Sequence, residues 1–276
     1  MEEYLPPEDR FPDVIYRAMR YSVLSGGKRI RPVLVLAACD AVGGDQKAAI
    51  PTACAVEFIH AYSLIHDDLP ALDNDDFRRG KPSNHKVFGE AMAILAGDAL
   101  LTLAFETIAS TKDVPSDVAL EVTRRIASAA GIGGMVTGQV VDMVSEGKEI
   151  DAESLEFIHA NKTGALIEVS VVAGGLLGGG TPEQIKTLGL YGQKIGLAFQ
   201  IADDILDIEG EREKTGKPVG SDRKNRKSTY PSLFGLEKSK EIACKTVDEA
   251  IEALSIFNDR ADTLRALARF IIEREA

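Results

Sequence analysis

Two aspartate-rich segments carry the residues best suited to chemistry. The first covers residues 66–73 (HDDLPALD), and the second covers residues 200–207 (QIADDILD). Each follows an apolar stretch with helical character, where buried carboxylates require a counter-charge. Two such sets predict a shared group of hard divalent cations, and therefore a ligand that carries phosphate groups.

The spacing of the polar side chains places each set on one helical face. In the apolar segment 51–67, Pro51 suits a first helical turn, and three polar residues follow the spacing i, i+3 and i+7. These residues are His60, Ser63 and Asp67. In segment 189–207, four polar residues follow the spacing i, i+3, i+4 and i+7: Gln200, Asp203, Asp204 and Asp207. Each set therefore forms a polar stripe on an otherwise apolar helix.

The elements that position these stripes are predicted to be helices. Helical periodicity also extends over 91–109, 155–177 and 259–274, and the sequence Thr-Pro-Glu at 181–183 is typical of a helix start. The sequence has no alternating pattern typical of strands, and the segment 210–228 is predicted to be a loop. Since no repeat and no linker divides the chain, we expect one all-α domain that spans residues 1–276.

Composition limits the possible partners and compartments. The chain has 276 residues, with 43 acidic and 32 basic side chains, and its net charge of −11 argues against nucleic-acid binding. Its three cysteines form neither a metal-binding pattern nor a disulfide framework, which is typical of a reducing compartment. The sequence opens without a basic, apolar signal, and no stretch predicts a membrane span. We therefore expect a cytoplasmic protein with no stable membrane insertion.

The basic residues are concentrated in three clusters, at 28–31, 78–81 and 223–227. The first cluster follows two glycines, where the backbone can approach a ligand closely, and the arginines of the second suit phosphate oxygens. Basic clusters that are separate from the acidic stripes predict a second anionic substrate that needs no metal. Lys162 and Lys217 are candidates for holding a leaving diphosphate.

The two carboxylate sets together could hold several Mg²⁺ ions around one diphosphate, because Mg²⁺ is usually bound by one or two carboxylates plus phosphate oxygens. The ions would neutralise the leaving group as its C–O bond breaks. This chemistry needs no nucleophilic side chain, and the sequence has neither a Gly-x-Ser-x-Gly motif nor a P-loop. Apolar helical walls would protect a hydrocarbon cation from water.

Simpler interpretations stay open for several residues. A single Asp-Asp pair is most often a solvated turn, His60 can be a core histidine, and the cluster 223–227 can be a solvated loop. Asp98, the central charge of an apolar helix, can be a buried acid with hydrogen-bond partners. Tyr62 can belong either to the core or to a cavity wall.

Several motifs, in order along nearly the whole chain, resemble the trans-isoprenyl diphosphate synthases, or polyprenyl synthetases. The motifs are residues 26–32 (GGKRIRP), 65–82 (with HDD and RRGKP), 84–90 (NHKVFGE), 95–100, 138–142, 162–164 (KTG), 199–207 (FQIADDILD) and 227–231 (KSTYP). The resemblance implies an isoprenoid-synthase helical bundle around a deep central cavity, usually as a homodimer. It also implies Mg²⁺-dependent, head-to-tail condensation of an allylic diphosphate with isopentenyl diphosphate, with about three ions in each site.

The resemblance also implies roles for individual residues. Mg²⁺ on the allylic diphosphate would be held by Asp67, Asp68, Asp73, Asp203, Asp204 and Asp207. The basic residues for that diphosphate would be Arg78, Lys162 and Lys217. Those for isopentenyl diphosphate would be Lys28, Arg31, His60 and Arg79, with Lys227 as a further substrate-binding candidate. Thr163 and Gln200 would turn their oxygen atoms toward the developing cation, and the released pyrophosphate would take the final proton.

Product length is predicted from the region before the first aspartates. Tyr62, followed by Ser63, stands about one and a half helical turns before Asp67. If the growing tail runs antiparallel to that helix, the tyrosine ring would form the floor of the cavity. The pattern HAYSLIH at 60–66 resembles bacterial farnesyl diphosphate synthases. We therefore expect a C15 product, with C20 geranylgeranyl diphosphate as the alternative.

Two other functions explain the sequence less well. A catalytically silent subunit would usually lack carboxylates from one stripe, and both stripes are complete here. A terpene cyclase also ionises diphosphates with Mg²⁺, but it would not need the basic cluster at 28–31, and this chain has no tryptophan and 6% aromatic residues. A synthase releases pyrophosphate rapidly only when isopentenyl diphosphate is present, which distinguishes it from a cyclase.

Overall fold

The computed structural model describes residues 1–209 and 228–273, and the regular structure in these ranges is almost entirely helical. The earlier helices are α1 (Asp13–Val23), α2 (Ile30–Ala41), α3 (Gln46–Asp67), α4 (Asn84–Phe88), α5 (Glu90–Ala109), α6 (Ser116–Ala130) and α7 (Met135–Ser145). The later helices are α8 (Ala152–Ile158), α9 (Ala165–Leu177), α10 (Pro182–Glu209), α11 (Tyr230–Phe234), α12 (Leu236–Ala253) and α13 (Asp262–Glu273). The all-α fold expected from the sequence is confirmed.

Two short elements lie close to the acidic segments and interrupt the regular helices. A π-helix of six residues (His159–Gly164) continues α8 into α9, so the helix predicted over 155–177 contains a wider turn. Between α3 and α4, strands β1 (Phe77–Arg78) and β2 (Lys81–Pro82) form an antiparallel hairpin. π-Turns inside helices occur frequently at functional sites.

The start of α3 differs from the sequence prediction, which placed Pro51 in the first turn. The helix begins at Gln46, because the side chain of Asp45 accepts a hydrogen bond of 2.9 Å from the backbone N–H of Lys47 and caps the end. Pro51 therefore lies inside the helix. The predicted start near residue 181 is observed, since α10 begins at Pro182.

The core connects the two helices that carry the acidic segments. α3 packs against α2 and α5, and α9 packs against α2 and α10. α2 and α9 approach closely at Gly174, where a Cβ atom would lie 2.1 Å from the carbonyl oxygen of Val35. Phe58 and Ile59 of α3 and Leu166 of α9 are fully buried in this region. This burial of apolar area stabilises the relative placement of α3 and α10.

α3 and α5 are long and apolar enough to span a membrane by length and composition. They pack against each other in the bundle, and 67% of the apolar window of α3 is buried, so core burial explains its composition. The window of α5 is 39% buried, and the side chain of Asp98 on this helix is 62% exposed. The interpretation of Asp98 as a buried acid is therefore wrong.

Candidate active site

The two acidic segments, remote in the sequence, meet at one cavity of about 240 Å³. Its lining includes Asp67 and Asp73 at and after the end of α3, Arg78 in the hairpin, Lys162 in the π-helix, and Gln200 and Asp204 in α10. Carboxylates and cationic groups thus share a small polar space. The structure brings the acidic segments together, as the sequence analysis expects.

The first segment presents two carboxylates to the cavity. Asp67 is the last residue of α3, and its carbonyl oxygen accepts a hydrogen bond of 2.8 Å from the backbone N–H of Asp73, which closes the turn between them. Burial raises the pKa of Asp67; the charge of Lys162 opposes this shift, and Asp73 adds to it. A desolvated carboxylate beside a second carboxylate favours a bound cation.

The donor set fits Mg²⁺ that is bound jointly with a ligand. Within residues 1–209 and 228–273, no three His, Cys, Asp or Glu side chains converge as a metal site. The cavity is lined by the carboxylates of Asp67, Asp73, Asp142, Glu146 and Asp204, each of which could supply an oxygen ligand. Further positions on the ion would belong to water and phosphate oxygens, which is the usual arrangement for Mg²⁺.

Asp68 does not line this cavity, and its side chain is only 3% exposed. It accepts a hydrogen bond of 2.9 Å from Nε of Arg78, and a second, short one from Nη2 of the same guanidinium. Burial opposes the charge on Arg78, but the hydrogen bond and the charge of Asp68 outweigh it, so the pKa of Arg78 is raised. In this conformation Asp68 positions Arg78, because the hairpin folds the arginine back onto the end of α3, and the ligand role that the resemblance implies for Asp68 stays a prediction.

The second segment divides between two environments. Gln200 and Asp204 line the cavity, whereas Asp203 and Asp207 are half-buried and do not line it. The charge of Asp203 acts instead on Arg31. Consecutive helical residues differ by about 100° in direction, so Asp203 and Asp204 have different neighbours.

His159 is a cavity residue that the sequence analysis missed. Its Nε2 lies 3.8 Å from Oδ2 of Asp204, and its ring stacks on Tyr230 with centroids 5.6 Å apart. Oδ2 of Asp204 also accepts a hydrogen bond of 2.9 Å from the backbone N–H of Tyr230. Burial lowers the pKa of His159 to about 4, so its imidazole is neutral at pH 7. These partners come from distant segments, and no local pattern indicates them.

The π-helix presents Lys162 to the cavity. Its Nζ lies 2.7 Å from Oδ2 of Asp142 in α7, and both residues line the cavity. Asp142 received no role in the sequence analysis, although the motif at 138–142 pointed to it. Thr163, the next residue, is half-buried and does not line the cavity, so its expected role beside the cation stays a prediction.

A close contact between α7 and the π-helix gives a testable prediction. A Cβ atom on Gly138 would lie 2.1 Å from the backbone nitrogen of Lys162. We expect Gly138→Ala to lower the free energy of unfolding by about 1–3 kcal/mol and to reduce turnover, because α7 must move away from Lys162. Gly189→Ala is the control, since a Cβ there meets its nearest neighbour at 3.6 Å. Urea unfolding measures the free energy of unfolding, and the rate of pyrophosphate release measures turnover. Equal losses of both quantities in the two variants would contradict the prediction.

A group of four arginines surrounds His60 beside the cavity. Burial, and then the charges of Arg31, Arg79, Arg78 and Arg29, hold the pKa of His60 well below its usual range. The buried Nε of Arg31 has no hydrogen-bond partner among the described residues. Burial lowers the pKa of Arg31. Clustered guanidinium groups with an unused donor favour a bound anion.

The loop before α2 is fitted to one of these arginines. Gly26 and Gly27 have φ values of 92° and 112°, and a Cβ on Gly27 would lie 2.5 Å from Cζ of Arg79. Arg79 donates a short hydrogen bond to the carbonyl oxygen of Gly26. Lys28 is exposed on the same loop. The loop therefore brings the predicted basic cluster 28–31 close to Arg79 of the cluster 78–81, whereas Lys217 and Lys227 lie outside the described residues.

The chain-length candidates lie on α3, outside the observed cavity. Tyr62 is 8% exposed, and its ring contacts that of His66 edge-to-face with centroids 5.6 Å apart. Burial raises the pKa of Tyr62, and the charge of Asp67 adds to the shift, so the phenol lies near the acidic cavity. The hydroxyl of Ser63 donates to the carbonyl oxygen of His60 at 2.9 Å. The expectation that Tyr62 forms the cavity floor stays a prediction.

Comparisons with known proteins identify the family and agree with the fold. The profile of the polyprenyl synthetase family matches residues 12–268. A geranylgeranyl diphosphate synthase of Cyanophora paradoxa is 52% identical over 95% of this chain and 88% of its own length. A farnesyl diphosphate synthase of Geobacillus stearothermophilus is 56% identical over 83% of this chain and 78% of its own length. Among solved structures, the geranylgeranyl pyrophosphate synthetase of Pyrococcus horikoshii Ot3 superposes with a TM-score of 0.90 at 37% identity, covering 99% of this chain and 93% of the other.

Proposed function

Because this chain belongs to the polyprenyl synthetase family, we propose that it joins isopentenyl diphosphate head-to-tail to dimethylallyl and geranyl diphosphate and so makes farnesyl diphosphate (C15). The chain is a trans-prenyltransferase, and its substrates are isoprenoid diphosphates. One observation carries the proposal: an acidic cavity and an arginine cluster lie side by side, so two diphosphates can bind in chemically different sites.

The acidic cavity suits the diphosphate that leaves. Asp67 and Asp73 would hold Mg²⁺, which when bound neutralises the leaving group. Arg78 and Lys162 line the same cavity and would donate hydrogen bonds to the phosphate oxygens. The amide oxygen of Gln200 would stabilise positive charge on the allylic carbon. About three ions in each site remain part of this proposal.

The arginine cluster suits the diphosphate that stays attached. Arg31 and Arg79 bind an anion by direct hydrogen bonds, without the metal that would weaken its C–O bond. His60, held neutral by its surroundings, donates one further hydrogen bond without adding charge. The double bond of isopentenyl diphosphate would then attack the allylic carbon, and the departing pyrophosphate would remove the final proton.

The C15 product is supported by the place of Tyr62 on α3. We expect Tyr62→Ala to lengthen the main product by at least one C5 unit, because it removes a large buried ring that lies near Asp67. Tyr62→Phe keeps the ring and is the matched control. Chromatography of labelled products measures the effect, and an unchanged chain length for the alanine variant would refute the assignment.

The C20 product is the second candidate, because the relatives include synthases named for each product. Incubation with labelled isopentenyl diphosphate and each allylic primer tests the whole proposal. A C15 product supports it, a C20 product supports the second candidate, and pyrophosphate release without isopentenyl diphosphate indicates a cyclase. We also propose a homodimer in the cytoplasm, which sedimentation and cell fractionation can check.

A further inference from the structure

Glu57 is a buried carboxylate that has no place in the mechanism above. It stands on α3, one turn before His60, and its side chain is 2% exposed. Burial of an ionised carboxylate is costly unless it is paired. Its partner is Arg29, whose Nη1 donates a short hydrogen bond to Oε1 of Glu57.

Arg29 connects this carboxylate to the loop before α2. Its second guanidinium nitrogen, Nη2, donates to the carbonyl oxygen of Val23 at 2.5 Å. Its backbone has a φ of 54°, a left-handed conformation that is costly for a residue other than glycine. Arg29 caps the start of α2 in this conformation, so its side-chain contacts help to hold the strained turn.

The loop 26–29 is therefore fixed at both ends. Arg79 holds the carbonyl oxygen of Gly26, and Glu57 holds the side chain of Arg29. Lys28 lies between these two attachments, and Arg31 follows in the first turn of α2. The charge of Glu57 also acts on Arg31 and Arg79, which shows that one carboxylate lies close to three arginines.

We propose that Glu57 is a positioning residue that fixes the loop 26–29 and the surrounding arginines in the geometry that binds the diphosphate group of isopentenyl diphosphate. This inference rests on the proposed function of the arginine cluster. Glu57 itself does not touch the substrate. It acts by holding the donors in place before the anion arrives, which lowers the cost of ordering them on binding.

Two effects of removing the charge of Glu57 oppose each other. A more positive cluster would attract an anion more strongly, whereas a released Arg29 would let the loop and its donors move. The loss of positioning dominates because Arg29 is 20% exposed, so its released side chain can turn into solvent. The left-handed backbone turn at Arg29 is then no longer held in place. The KM for isopentenyl diphosphate therefore rises in the variant, whereas a pure charge effect would lower it.

Steady-state kinetics of Glu57→Gln test the proposal. We expect the KM for isopentenyl diphosphate to rise at least tenfold, while the KM for the allylic substrate stays within about twofold. Glu57→Asp keeps the charge at a shorter reach and should restore part of the loss. The control is Glu249→Gln, which breaks an ion pair with Lys194 between α10 and α12 and should change neither KM.

The alternative outcomes are distinct. A KM for isopentenyl diphosphate that is unchanged or lower in Glu57→Gln overturns the proposal, as does an equal rise in both KM values. If Glu57→Gln does not fold, Glu57→Asp decides the question. A rise in the KM for isopentenyl diphosphate alone supports the proposal, and the absence of that rise overturns it. If the wild type does not consume isopentenyl diphosphate, the proposed function fails. The role of Glu57 is then tested by calorimetric titration with inorganic pyrophosphate, without divalent ions. A tenfold lower affinity for pyrophosphate in Glu57→Gln than in the wild type supports that role, and an equal affinity overturns it.

Discussion

Replacing Asp67 with asparagine should lower kcat by a factor of about 10²–10³, the effect typical of losing one preorganised electrostatic group. The carboxylate lies at the end of α3, on the cavity wall beside Asp73, where desolvation raises its pKa. Asparagine preserves the shape but cannot supply the negative charge that holds Mg²⁺. The rate of pyrophosphate release, measured over a range of Mg²⁺ concentrations, should show both the lower kcat and a higher Mg²⁺ requirement.

Asp117→Asn provides the matched control for this change. Asp117 is exposed in the first turn of α6, and we expect its variant to retain kcat within about twofold, since exposed substitutions away from a site have small effects. Equal losses in the two variants would show that net charge, rather than the cavity carboxylate, is responsible. A normal Mg²⁺ requirement in Asp67→Asn would contradict its role as a metal donor.

Local pattern correctly predicted the placement of residues whose direction depends on helical spacing. Asp67, Gln200 and Asp204 each lie on a polar stripe of an apolar helix, and all three reach the same cavity. The pattern worked because an apolar helix has few ways to place polar groups, and burial forces them toward a shared polar space.

The residues that sequence reasoning missed owe their positions to contacts between distant segments. Glu57 pairs with an arginine 28 positions earlier, and Asp142 pairs with Lys162, which lies in the π-helix. The extra residue of a π-turn shifts the direction of the side chains that follow it, and the sequence does not show this shift because α9 is apolar and buried on most faces. The pairing of Asp68 with Arg78 was missed for a related reason, since only the hairpin brings Arg78 onto Asp68.

Removing the carboxylate of Asp68 should cost stability more than any other single change at the site. Asp68→Ala leaves the guanidinium of Arg78 largely buried without its bidentate partner, and breaking such a pair typically costs about 3–5 kcal/mol. We expect a value near the lower end, about 3 kcal/mol, because Arg78 is 20% exposed and Asp75 lies 3.4 Å away as a weaker partner. Urea unfolding at one fixed protein concentration measures the loss.

The double variant Asp68→Ala with Arg78→Ala separates the lost pair from the unpaired charge. Removing both partners eliminates the buried guanidinium, so the double variant should be more stable than the sum of the single losses predicts, by about 1–3 kcal/mol. Activity should nevertheless fall in both variants, because Arg78 lines the cavity and its placement depends on Asp68. Strictly additive losses would mean that the two side chains are not coupled, and that Asp68 is available to bind metal instead of arginine.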